Sequence, residues 1–160
     1  MNLGRTVPFL DFVPFNFSNF NSIQVFYILK NHHSHKFEFM KQIILVGIGG
    51  GVGSIFRYLI KIWTARFSED IPLATFSANI IGCLLIGLLM GYFTKNEHIP
   101  NDWSLLLITG FCGGFTTFST FSSENLNLLQ TGNYLTALTY ILGSVVIGIL
   151  AVFLGYVLTK

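Results

Sequence analysis

The chain has 160 residues, a formal charge of only +2, 52% apolar and 10% charged residues, and a mean hydropathy of +0.64. That balance excludes an ordinary soluble domain, and it excludes a nucleic-acid partner held by a basic patch; it places the chain among integral membrane proteins. Cys83 and Cys112 both fall in apolar runs, so they are expected as small core residues rather than as a disulfide framework.

Residues 1–39 do not match the rest. They hold Pro8, Pro14, many asparagines and eight of the seventeen phenylalanines. No apolar run among them approaches the ~20 residues that a spanning helix needs. A basic start, continuous apolar core and small-residue cleavage site are also missing, so no secretory signal is read there. The composition changes abruptly at Met40, which is expected to be the biological start. The tail is then a misassigned or disordered extension, the other reading being an interfacial segment. The cluster His32-His33-Ser34-His35 lacks a carboxylate or cysteine partner pattern, and an incidental cluster is favoured over a metal site.

From Met40 onward the chain resolves into four predicted spans, about 42–63, 73–93, 103–124 and 135–158. Each has the length to cross ~30 Å of hydrocarbon. A barrel would instead show alternating strands of about ten residues, so the fold class is an all-α integral membrane protein. Trp63, Tyr92, Trp103, Tyr134 and Tyr156 lie near the span ends, where aromatic belts belong.

The first span carries Gly47, Gly49, Gly50, Gly51 and Gly53, then Arg57-Tyr58. A nucleotide loop is excluded: valine stands at 52 where glycine would be needed, and no Gly-Lys-Ser/Thr follows. Glycines 47 and 51, and 49 and 53, have instead the spacing that lets two membrane helices approach closely. Arg57 either snorkels to an interface or attracts anions inside a vestibule. In the second span Asn79 is the one strong polar residue. A buried amide must face a partner helix or a pore, either as interhelical glue or as a donor to an ion.

The third span contains the stretch that the others serve, Thr109 to Glu124. Its hydroxyls are Thr109, Thr116, Thr117, Ser119, Thr120, Ser122 and Ser123, and its phenylalanines are 111, 115, 118 and 121. The rings recur every three or four residues, so most share one helix face while hydroxyls fill the others. Gly113-Gly114 and then Thr116-Thr117 mark where the helix is expected to loosen, a break spanning Gly113–Thr116 that frees backbone carbonyls. Such groups survive at membrane depth only inside protein or along a polar cavity. In the fourth span Tyr140 and Ser144 are four apart and share a face, with Thr136 and Thr139 upstream.

Positive charge is balanced: Lys41, Lys95 and Lys160 on one side, Lys61 and Arg66 on the other, leaving the tail and Arg57 aside. The positive-inside rule then sets no orientation, and a chain free to insert both ways suits an antiparallel, dual-topology homodimer.

The run Gly110-Phe111-Cys112-Gly113-Gly114-Phe115-Thr116-Thr117-Phe118-Ser119-Thr120-Phe121-Ser122-Ser123-Glu124 resembles the signature of the Fluc (CrcB-type) fluoride channels. Gly50-Gly51-x-Gly53-x-x-x-Arg57-Tyr58 and Asn79-x-x-Gly82 resemble that family's other two marks. The resemblance covers residues 40–160, with Phe115 where such channels often have leucine. It implies an antiparallel homodimer in the plasma membrane that exports fluoride and so protects a microbial cell. It also implies a central structural Na+, carried across to the Gly113 and Thr116 carbonyls of both subunits. Asn79, Phe118 and Phe121 would line the fluoride path, with Ser119, Thr120 and Glu124 along a polar track, and Tyr140 and Ser144 added from the fourth span. Independently of the resemblance, a small, strongly hydrated anion needs N–H and O–H donors in place of water, and ring edges can supply positive potential.

The rival reading is a small multidrug-type, proton-coupled transporter, which also uses four spans. It needs an intramembrane carboxylate, and the first span has none; Glu124 stands only at the end of the third. No Ser-His-Asp, Cys-His or metal-ligand set lies within the spans, which disfavours an enzyme.

Overall fold

The computed structural model of the chain describes residues 22–64 and 72–160, with side chains from Lys36 onward. The chain divides into two units after Glu38, and every contact of the site lies within the second, Phe39–Lys160. Among the described residues there is no strand. Four helical stretches are long and apolar enough to cross a membrane: Lys36–Thr64, Leu73–Lys95, Asn101–Gln130 and Tyr134–Thr159. The segment between the first two, residues 65–71 with Arg66, lies outside the described residues, as do residues 1–21 of the tail.

Helix α1 runs Ser22–Thr64 and so begins within the tail. The reason is local. No glycine or proline stands between Ser22 and Val46, and extending an existing helix is far cheaper than starting one. Helix α2 spans Leu73–Lys95, and α6 spans Tyr134–Thr159. Between them the third span is assembled from unlike pieces: α3 (Asn101–Ser104), a π-helical segment (Leu105–Cys112), α4 (Gly113–Phe115) and α5 (Phe118–Gln130).

Helix α5 continues past Glu124 to Gln130, beyond the predicted end of that span. Leu128 in this extension packs with Ala137 and Tyr140 of α6. Gly132, at φ 78°, then stops the helix. Asn133 N–H donates to the Leu128 carbonyl at 2.8 Å and Gly132 N–H to that of Leu129 at 3.2 Å. This pair of bonds satisfies two terminal carbonyls through a left-handed glycine.

Glycines decide which helices touch. A Cβ at Gly49 or Gly53 would strike the backbone of Leu106 or Phe111, and one at Gly114 would strike that of Gly50. Helix α1 therefore lies backbone-to-backbone against the third span. The other glycine pair of α1, Gly47 and Gly51, has nothing within 4 Å of a Cβ, so only one of the two predicted small-residue rows is a seam within the chain. A second seam, not foreseen, joins α2 to α6. Gly87 and Gly91 meet the backbone around Val152 and Tyr156, Gly155 meets that of Leu84, and Thr159 Oγ1 donates to the Leu88 carbonyl at 2.9 Å. Small residues are the usual means of close helix approach in lipid, where apolar side chains have no water to escape.

Candidate functional site

The helix break occurs at Thr116–Thr117. The expected break at Gly113–Thr116 is corrected in its extent, because Gly113 is helical (φ −63°, ψ −38°) and begins α4. The two threonines are extended, Thr116 at φ −82°, ψ 157° and Thr117 at φ −149°, ψ 117°. Gly114 serves close packing against Gly50 instead of loosening the helix. Two adjacent β-branched hydroxyl residues have the chemistry to end one helix and start another. Thr116 Oγ1 and N–H both go to the Cys112 carbonyl, at 2.9 and 3.0 Å. Thr117 Oγ1 accepts from Thr120 N–H at 3.3 Å as the N-cap of α5.

Asn79 holds the break open from α2. Its Oδ1 accepts from Thr117 N–H at 2.8 Å, and its Nδ2 donates to the Thr117 carbonyl at 3.2 Å. The amide thus pairs with both backbone groups of one extended residue. Gly82 is needed beside it, because a Cβ there would collide with Thr116 Cγ2. Asn79 therefore acts as interhelical glue, and one of its two amide hydrogens is left for another acceptor.

These bonds leave carbonyls behind. In an unbroken α-helix Thr117 N–H would go to the Gly113 carbonyl and Thr120 N–H to that of Thr116. Here the first is turned to Asn79 and the second to Thr117 Oγ1. The Gly113 and Thr116 carbonyls lose their helical donors, as does the Gly114 carbonyl, which accepts from Ser54 Oγ at 3.3 Å instead, and beside Gly113 a Cβ would meet nothing within 4 Å. Among the described residues no cluster of His, Cys, Asp or Glu is arranged to hold a metal. A hard cation bound here would use backbone oxygen, for which the Gly113 and Thr116 carbonyls are left without a side-chain donor among the described residues.

Two clefts flank the break, and Thr117 belongs to both. The first, of about 290 Å³, is lined by Asn79 and Cys83 of α2, by Thr116, Phe118 and Phe121, and by Ser144 of α6. The two rings are tilted with centroids 5.9 Å apart, and Phe118 is 80% exposed. The Ser144 hydroxyl is buried without a hydrogen-bond partner. The second cleft, of about 420 Å³, is lined by Ser54, Arg57 and Lys61 of α1, Thr75 of α2, and Ser119, Thr120 and Glu124 of α5. The Glu124 carboxylate accepts from Thr75 Oγ1 at 2.7 Å and from Tyr140 OH at 2.9 Å.

The candidate residues are thus divided. Asn79, Thr116, Phe118, Phe121 and Ser144 come together in the aromatic cleft, while Ser119, Thr120 and Glu124 come together in the polar one. Gly113 lines neither. Tyr140 links the two, with its hydroxyl on Glu124 and its ring 5.0 Å from that of Phe121. The division follows from helical phase, since residues 118 and 121 share one side of α5 and 119, 120 and 124 turn away from it. Ser54 and Thr75 were not singled out from the sequence, and Thr117 was marked only as part of the loosened stretch. Thr75 had a signal, lying four residues before Asn79 and so on the same face. Ser54 had none beyond its hydroxyl.

Residues 44–156 match the profile described as CrcB-like protein, Camphor Resistance (CrcB). The chain is 48% identical over 122 residues, covering 76% of it and 98% of the relative, to a protein of Azobacteroides pseudotrichonymphae named fluoride-specific ion channel FluC. A protein of Phocaeicola vulgatus with the same name is 52% identical over 117 residues, 72% of this chain and 96% of its own. One of Flavobacterium psychrophilum, also so named, is 45% identical over 122 residues, 76% and 98% respectively. With four helices fit to span a membrane and this likeness along nearly the full length of its relatives, the chain belongs to the CrcB-like family as a multi-pass membrane protein.

Proposed function

We propose that the chain is a fluoride-selective channel of the plasma membrane that lets fluoride leave the cell. The observation that carries this reading is the aromatic cleft. It offers two phenyl rings, a spare amide hydrogen on Asn79 and the unpartnered hydroxyl of Ser144, with no Lys or Arg on its walls. Neutral donors and ring edges replace hydration water for a small anion without trapping it, as a conducting site requires. The names of the relatives support the same ion. The polar cleft, with Arg57 and Lys61 on its walls, is the place where fluoride would collect while still hydrated.

The working unit in this reading is an antiparallel, dual-topology homodimer, because the spans leave orientation undecided by charge and Phe118 stands 80% exposed at the rim of its cleft. A structural Na+ would sit between the two breaks, held by the Gly113 and Thr116 carbonyls of each subunit; it supplies positive charge that offsets the passing anion. The multidrug-transporter alternative finds no support, since the relatives carry a channel name and both oxygens of Glu124 already accept from hydroxyls.

Efflux from liposomes carrying the purified protein tests the reading. Fluoride should leave rapidly and chloride should not, and the rate should fall when Na+ is exhaustively removed. Equal chloride efflux would overturn the selectivity, and an unchanged rate and intact dimer without Na+ would overturn the cation.

A further inference from the structure

We infer that Ser54 is the residue through which α1 positions the cation site, by holding the Gly114 carbonyl that the break sets loose. This rests on the sodium reading above. In a continuous helix the Gly114 carbonyl would accept from Phe118 N–H, but the two extended threonines stand between them. Ser54 Oγ supplies the missing donor from another helix, 60 residues away in sequence, at 3.3 Å.

The bond is not the ordinary habit of a helical hydroxyl in this chain. Thr64, Thr94, Ser122 and Thr139 each donate to the carbonyl four residues back on their own helix, the local bond that such residues prefer. Ser54 turns outward instead. It can do so because the seam brings the two backbones together: Gly53 meets the Phe111 carbonyl, and Gly114 meets Gly50. A hydroxyl placed between those glycines has a carbonyl of the other helix within reach.

Gly114 lies between Gly113 and Thr116, whose carbonyls are the proposed ligands. Neighbouring planar peptide groups are joined only through two dihedrals at each Cα, so fixing the direction of the Gly114 carbonyl limits directly where that of Gly113 can point, and through Phe115 that of Thr116. Asn79 does the equivalent from α2 on Thr117. The break is therefore clasped from both sides, by Ser54 before the extended pair and by Asn79 within it. Ser54 touches no ion itself and acts through the backbone as a positioning residue.

The test is thermal unfolding of the purified full chain in detergent as Na+ replaces N-methylglucamine at constant ionic strength. Wild-type protein should be stabilised by Na+ with a measurable half-effect concentration. Ser54→Ala, which removes one oxygen, should raise that concentration about fivefold, the scale of one hydrogen bond. Ser54→Thr, which keeps the hydroxyl, should stay near wild type, and Ser54→Cys, with only a weak donor, should shift as alanine does. If the alanine and cysteine variants melt lower at every Na+ concentration but keep the wild-type midpoint, Ser54 is merely structural and the inference fails. If wild-type protein shows no response to Na+, the sodium reading fails, and this inference with it.

Discussion

The cleft walled by Phe118 and Phe121 and the cleft walled by Arg57 and Glu124 share Thr117, and they differ in almost every other chemical respect. The first offers rings, an amide and a hydroxyl without formal charge; the second has two basic side chains and a carboxylate clasped by Thr75 and Tyr140. The same short helix serves both, because its alternate faces point opposite ways. For an ion as strongly hydrated as fluoride, the proposed cargo, this separation would have a use. Formal charge would gather the ion where water still surrounds it, and neutral donors would receive it where water must go, so that it is neither repelled nor held.

The largest effect should come from erasing the neutrality of the aromatic cleft. Asn79→Asp keeps the shape, removes the donor to the Thr117 carbonyl and adds a like charge to the path, so fluoride efflux should fall by about a hundredfold or more. The measurement is liposome efflux alongside gel filtration of the variant; near-normal flux from a folded variant would leave Asn79 as helix glue only.

A smaller loss is expected from the rings. Phe118→Ile and Phe121→Ile keep apolar bulk but discard the ring quadrupole, and each should slow efflux by about tenfold. Should isoleucine be tolerated at both positions, the rings serve packing alone, and the contrast between the clefts loses its chemical basis.

The mildest change is expected on the charged side. Arg57→Gln or Lys61→Gln should reduce flux by about two- to threefold at low ionic strength, and the difference should shrink in about 0.5 M salt as the Debye length contracts. A salt-independent loss would mean that these residues act at short range inside the path, and the two clefts would then share one role.

Much of the arrangement could be read before any coordinates because it depends on neighbours in sequence. Apolar runs of spanning length, the hydroxyl-rich third span and the rings at 118 and 121 are all local signals. The extent of the break was misplaced for an instructive reason. Glycine is the poorest ordinary helix former, so Gly113-Gly114 looked weakest. In the fold, however, Gly114 is packed against Gly50 and stays helical, while Thr116 turns its own hydroxyl back to the Cys112 carbonyl, Thr117 finds the Asn79 amide for its backbone, and both leave the helix.

By itself, then, the sequence determined the membrane class, the four spans and the region where the third must interrupt, since hydropathy and local propensity act over a few neighbouring residues. Only the tertiary structure decided which groups complete that interruption. Asn79 reaches Thr117 across 38 residues and Ser54 reaches Gly114 across 60. It also decided that Gly49 and Gly53 form a seam while Gly47 and Gly51 do not, and that residues 118 and 119 serve different clefts. The physical reason is the same in each case. A buried polar group accepts any partner of suitable geometry, and the partner it obtains depends on how the helices rotate against one another, which no single stretch of the chain encodes.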